Sequence, residues 1–297
     1  MTPLSWLTGM ALVAAVVVYV GPQQLTAMFR SIGVVGVLAW SAITIAARLV
    51  QTGTTVAPLS VLGFRVHYGD VFWMGWLRTF ANQVLPAAGV VAYVKALRHK
   101  FDIPWPQLAA LATPQFVLAA AALGIIGVAA VLSNLEAPDL PHVLLLTAYG
   151  VVLLVAVGVA RGAHTVLRVL PPFIAERLET TSDALRDLAK RPQLLLVVIA
   201  SHTGTILLRG SRVWLLFAMV GYSLSWNEAL LIAAVAESSI LIQFTPGGLG
   251  IREGALLVGA ALVGIPIEAA AGIAVVDRIL MLAITALLAP PAVVALR

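Results

Sequence analysis

Residues Phe244–Gly254 read "FTPGGLGIREG" and lie between two long apolar runs. A proline, three closely spaced glycines and an adjacent Arg–Glu pair stand where the flanking sequence has the character of a membrane span. Proline interrupts an α-helix because it lacks the N–H donor and clashes with the preceding turn. Glycine opens turns that are closed to other residues. Bare backbone at membrane depth survives only when buried in protein or lining a wet cavity. The stretch is therefore either an ordinary interhelical turn or the tip of a hairpin that enters the bilayer and returns.

The surroundings establish the membrane. Of 297 residues, 61% are hydrophobic and 10% charged, with mean hydropathy +1.02. Soluble domains carry about 25% charged residues. Several apolar runs reach the ~18–20 residues that cross a bilayer, and no short alternating strands suggest a β-barrel. The expected fold is an all-α polytopic membrane protein, with one integral membrane domain over residues 1–297. Its spans are expected at roughly 4–20, 31–50, 106–132, 142–160, 193–220 and 268–294. Leu4–Val20 has no basic residue before it and only "GPQQ" after it, which reads as a retained span rather than a signal peptide. Cysteine is absent from the sequence, which excludes disulfides and thiolate chemistry. In the polar segment Arg161–Pro192, Ile174, Leu178, Leu185 and Leu188 share a helical stripe. That segment is either a helix on the membrane surface or a solvated connector.

Basic residues set the orientation. With Arg161–Pro192 placed in the cytoplasm, that side holds Arg48, Arg65, Lys95, Arg98, Lys100, six basic residues of the segment and Arg297. The opposite side keeps Arg30 alone, beside Glu136, Asp139, Glu228 and Glu268. An excess of basic residues marks the cytoplasmic face. Both termini are expected there, in a bacterial-type inner membrane.

A second broken region precedes the first. Gln83-Val-Leu-Pro86 and Gln243-Phe-Thr-Pro246 are 160 positions apart, and Ile103-Pro104 and Ile265-Pro266 are 162 apart. Each broken region is followed by a full apolar span, which points to an internal duplication over about 71–132 and 228–294. The first region lies between cytoplasmic cations and the second between outer acids. They therefore read as two oppositely oriented re-entrant hairpins forming an inverted repeat, the pattern of transporters with a midplane site. The glycines Gly247, Gly248 and Gly250 bring N–H groups to the tip, where the helix restarting near Ile251 presents its positive end to an anion.

Arg78, Arg209, Arg212, Arg252 and Arg278 fall within the apolar regions, with Glu237, Glu253 and Asp277 as counterions. An unpaired charge there costs ~3 kcal/mol or more, so each is a site candidate. In "IREG" and "VVDRIL" acid and arginine are adjacent, so one member of each pair is expected to cross-link helices while the other faces a cavity. Either these pairs are structural struts or they bind substrate. Arg209 and Arg212 share a helix face, and reaching the outer head groups is their alternative. His202 reads as a satisfied helix residue. Asn82, Gln83, Gln243 and Thr245 either satisfy backbone freed at the tips or touch substrate.

"IQFTPGGLGIREG" followed by "AVVDRIL", with an earlier "NQVLPAAG", resembles the flippase-like transmembrane family of the lysylphosphatidylglycerol synthases. The resemblance implicates Pro246, Gly247, Gly248, Gly250, Arg252, Glu253 and Arg278, together with Asn82 and Pro86. The first hairpin departs from the family pattern: it reads "PAAGVVAYVK", with Gly89 alone and Lys95 as its nearest cation. The counterpart of Arg278 falls near Gln115–Phe116, so its charge is missing. The chain stops at Arg297, which implies no aminoacyl-transfer domain. The leading expectation is a lipid translocase for a phospholipid, glycolipid or polyprenyl-linked lipid. A membrane-embedded lipid transferase and a small-solute transporter remain the alternatives. No catalytic residue, metal, cofactor or nucleic-acid partner is expected. Partners are membrane lipids, with either a second copy of the chain or a separate lipid-synthesising enzyme.

Overall fold

A computed structural model describes residues 18–84, 88–135, 140–160, 190–239 and 248–295. Among the described residues all regular structure is helical. Helices α1 (Pro22–Val61), α2 (Tyr68–Val84), α3 (Ala88–Phe101), α4 (Trp105–Ser133) and α5 (Leu140–Ala160) are followed by α6 (Pro192–Met219), α7 (Trp226–Ser238), α8 (Ile251–Leu262) and α9 (Ile267–Ala295). Five of them, α1, α4, α5, α6 and α9, are long and apolar enough to cross a membrane. They coincide with five of the six expected spans. The sixth, 4–20, lies outside the described residues up to residue 17, as does the expected amphipathic stripe Ile174–Leu188.

Helix α1 is longer than its expected span because it is two helices joined at a kink. Its 40 residues would extend about 60 Å, twice the ~30 Å hydrocarbon core. The join is Gly33, at φ 61° and ψ −178°, backbone open only to glycine. The leading piece buries Leu25, Met28 and Ile32 and exposes Gln23, Gln24 and Arg30, so it lies with one face on the protein. The main piece carries Trp40 and Arg48 into the interior.

Each broken region forms two short helices that pack on one another, α2 with α3 and α7 with α8. Helix α3 has 14 residues and α8 has 12, about 21 and 18 Å long and too short to span. Both pairs are seated by a glycine in the second arm. A Cβ at Gly89 would overlap the carbonyl oxygen of Arg78, and one at Gly259 would stand 2.9 Å from the Cα of Ile232. The backbones thus touch directly, as small residues permit between membrane helices. Across the first break, Asn82 Oδ1 accepts the N–H of Gly89 at 2.8 Å. Helix α7 begins with a capping box, Ser225 and Glu228 each binding the other's backbone N–H.

The halves interlock. Long helix α9 packs on arm α2, while long helix α4 packs on arm α7. The most extensive contact joins α1 to α6. Gly36 faces Met219, Val50 faces Gly204 and Gly53 faces Ser201, so these two helices run antiparallel. Trp40, Trp76 and Phe217 are fully buried where α1, α2, α6 and α9 meet. Large apolar side chains such as Val34, Leu38, Leu144, Leu154, Leu196 and Leu287 point outward. An outer surface of that kind suits lipid rather than water.

Gly259→Ala should lower the melting temperature of the detergent-purified protein, because overpacking costs about 1–3 kcal/mol. Gly150→Ala is the control: it meets open space and should leave the melt unchanged or raise it slightly. Equal melts for the two variants would refute direct backbone contact at Gly259.

Candidate functional site

Charge inside the bundle is organised around Asp277, which is 3% exposed near the middle of α9. Its carboxylate accepts from Trp40 Nε1 on α1 at 3.0 Å and from Arg252 Nη1 on α8 at 2.9 Å. Arg212 on α6 reaches it through Nε at 3.3 Å and Nη2 at 3.4 Å, with its guanidinium over the Trp40 ring. One carboxylate therefore joins four helices. A buried acid needs this density of donors to remain charged. The next residue, Arg278, pairs with Glu253 at 3.6 Å. Glu253 in turn accepts the N–H of Gly250 at 2.7 Å, so the first turn of α8 is closed by its own side chain.

The dipeptides Arg252–Glu253 and Asp277–Arg278 thus clasp reciprocally, and both members of each join α8 to α9. This corrects the expectation that one member of each pair faces a cavity. Adjacent residues on a helix point about 100° apart, which is narrow enough for two helices side by side to engage both.

The cavity lies elsewhere, among α1, α2, α3, α4, α6 and α7, and holds about 370 Å³. Its polar wall carries Arg48, Arg78, His202, Arg209, Glu237 and Gln115, and its apolar wall includes Leu59, Val94, Leu97, Leu108, Phe116 and Leu123. Arg209 is paired with Glu237. Arg48 donates to Gln51 Oε1 at 2.9 Å and to Thr79 Oγ1, and its guanidinium lies 5.4 Å from the Trp76 ring centroid. Arg78 lies 5.4 Å from the ring of Tyr93, whose hydroxyl donates to Thr55 at 3.0 Å. Neither Arg48 nor Arg78 has a carboxylate partner among the described residues. The hydroxyls of Thr52, Thr54 and Thr205 donate back to carbonyls of their own helices. Gln115 donates to the Thr54 carbonyl at 2.6 Å. The remaining strong donors facing the space are guanidinium groups. A positively charged, partly apolar chamber is what this wall builds.

The sequence-level candidates separate into three places. Arg212, Arg252, Glu253, Asp277 and Arg278 form the clasp, and Arg209 stands in the cavity. Arg212 is buried and Arg209 is ion-paired, so neither reaches outward to head groups. Asn82 holds the first break together, while Gln83 Oε1 is buried without a partner among the described residues. Gly248 and Gly250 sit at positive φ, 70° and 80°, in the turn into α8. Pro86, Gln243, Thr245, Pro246 and Gly247 lie outside the described residues. His202 departs from expectation: its Nε2 is buried with no hydrogen-bond partner among the described residues. Arg48 departs from its sequence reading as a cytoplasmic cation: it stands inside α1, half-buried, which reduces the cytoplasmic tally to eleven. Its separation of 161 positions from Arg209, between the 160 and 162 of the two broken motifs, is the signal in the sequence that marks it.

Fold and interior define a multi-pass α-helical membrane protein with a cationic cavity. The chain belongs to the family described as the lysylphosphatidylglycerol synthase TM region, whose model matches residues 6–289. Membership implies a function tied to membrane lipid. No curated protein and no solved structure matches the chain.

Asp277→Asn strands the buried Arg212 and the half-buried Arg252 and should cost about 3–5 kcal/mol, visible as a large fall in melting temperature or loss of monodisperse protein. Arg252→Gln leaves Trp40 and Arg212 on Asp277 and should melt well above Asp277→Asn. The reverse order would show that the carboxylate is not the centre of the clasp.

Proposed function

We propose that this protein is a lipid translocase, moving a lipid between leaflets by passing its anionic head group through the arginine cavity while the tails stay in the bilayer. One observation carries the reading: Arg48, on the membrane-crossing helix α1, and Arg78, on the short arm α2, face a 370 Å³ cavity with no carboxylate partner among the described residues. Such charge costs ~3 kcal/mol or more in the membrane unless wet or paired. A phosphate-bearing head group supplies the pairing, and arginine grips it bidentately. The apolar wall of the same space suits the start of the tails.

The short arms of α2–α3 and α7–α8 are read as re-entrant hairpins, and the two halves as an inverted repeat. Three features support this: two pairs of short packed arms, the reciprocal contacts α9–α2 and α4–α7, and the antiparallel course of α1 and α6. The corresponding helices of two inverted halves must run in opposite directions, and a substrate site falls where the halves meet. Eleven basic residues against Arg30 orient the protein in the cell membrane with both termini cytoplasmic. The clasp at Asp277 is the structural part, and the cavity is the binding part. Translocation rather than bond chemistry is the proposed activity. Membrane lipids are its partners, with a second copy or a lipid-synthesising enzyme alongside.

Reconstitution into liposomes with tail-labelled lipids and a quencher on one side tests the reading. The full chain should collapse the leaflet asymmetry of at least one anionic lipid, and Arg48→Gln should slow it about tenfold, one charge contact being worth about 1.4 kcal/mol or more. Uptake of a water-soluble solute with no lipid movement would overturn it. In intact cells, Lys100→Cys and Lys190→Cys should resist an impermeant thiol reagent; labelling from outside would overturn the orientation.

A further inference from the structure

The two halves treat equivalent arginines differently. Arg48 on α1 and Arg209 on α6 are 161 positions apart, and so are Trp76 on α2 and Glu237 on α7. In each half, the arginine of the long helix meets the side chain of the first short arm. Arg209 meets a carboxylate, Glu237, and is neutralised. Arg48 meets the indole of Trp76. An aromatic face attracts a cation but leaves its charge in place. The other partners of Arg48, Gln51 and Thr79, are neutral, and Arg78 likewise rests on an aromatic ring. The second half thus displays how an anion seats on this arginine, and among the described residues the first half lacks the anion.

The cavity wall holds Arg48, Arg78, Arg209 and Glu237, which leaves two positive charges uncompensated. His202 Nε2 adds a buried ring nitrogen with no partner among the described residues. The hydroxyls of Thr52, Thr54 and Thr205 are committed to backbone carbonyls, so the charged donors this wall offers a ligand are guanidinium groups, which suit a phosphate.

We propose that the cavity selects a lipid whose head group is a phosphomonoester, seated between Arg48 and Arg78 and supplying the anion that Glu237 supplies to Arg209. The inference rests on the translocase reading. A phosphomonoester brings a charge of about −1.5 to −2 near pH 7 and three acceptor oxygens, enough to meet both arginines at once. A phosphodiester brings one charge and leaves one arginine uncompensated. A zwitterionic head group adds a cation to a space already positive. Arg48 and Arg78 are therefore the specificity-determining residues, and Glu237 sets the charge by withdrawing Arg209.

The test uses the full chain in phosphatidylcholine liposomes with three lipids sharing one labelled tail: phosphatidic acid, phosphatidylglycerol and phosphatidylcholine. Phosphatidic acid should cross at least tenfold faster than phosphatidylglycerol, with phosphatidylcholine slowest. The preference should shrink as pH falls through the second phosphate ionisation near 6. Thr79→Asp places a carboxylate against Arg48, as Glu237 stands against Arg209, and should bring phosphatidic acid down to the phosphatidylglycerol rate. Arg48→Gln, with folding verified by gel filtration, should do the same by removing the cation. Equal rates for the three lipids, or phosphatidylglycerol fastest, would overturn the phosphomonoester assignment and leave the translocase standing. Movement of no lipid would overturn the translocase itself. A preference that survives both variants would overturn the seat at Arg48.

Discussion

A carboxylate in the middle of a membrane helix has to be answered by donors from its neighbours, and Asp277 draws them from three other helices. Trp40, Arg212 and Arg252 converge on it from α1, α6 and α8. In lipid, apolar faces gain little by meeting one another, so close packing and polar contacts decide how helices associate. Removing the carboxylate from this junction would strand Arg212 and Arg252 in a medium of low dielectric. The Glu253–Arg278 pair and the Gly250 contact extend the same constraint to the turn preceding α8. The second half is thereby held in one arrangement by ionic contacts.

The first half has the same succession of helices without that charge. Gln51 stands 161 positions before Arg212, and Gln115 stands 162 before Asp277. Both are neutral, and each makes an uncharged donor's or a weak acceptor's contact, Gln51 with Arg48 and Gln115 with the Thr54 carbonyl. The cavity lies on this side of the molecule, where α2, α3 and α4 surround Arg48 and Arg78. The two halves differ in how they hold arginine: in the second, Arg209, Arg212, Arg252 and Arg278 all meet carboxylates, whereas in the first Arg48 and Arg78 rest on aromatic rings. The second half gives the first a fixed wall through α6 and α7.

Glycine plays a complementary part. At Gly89 and Gly259 the second arm of each broken pair lies on the backbone of the first, and at Gly53 and Gly204 the two central helices approach closely. These contacts set the distance between elements, while the charged contacts set their register. A cavity wall built of long arginine side chains depends on both, because a guanidinium reaches only one position when its helix is fixed and its ring partner is fixed.

The sequence by itself determined the class of the protein and most of its span boundaries, because apolar length and the scarcity of charge are local properties that lipid reads directly. Two interruptions with matching spacing were equally legible, since proline and glycine act on the backbone where they stand. Which arginine meets which acid was decided only by the tertiary structure. Arg252 and Glu253 differ by one position, yet engage partners about 25 residues away through the packing of α8 on α9. Arg48 shows the limit most clearly. In sequence it resembles a cation at the end of a 20-residue span; the helix runs on to Val61 and carries it into the interior. Trp76, rather than an acid, occupies the position facing it, and only the meeting of α1 with α2 reveals that.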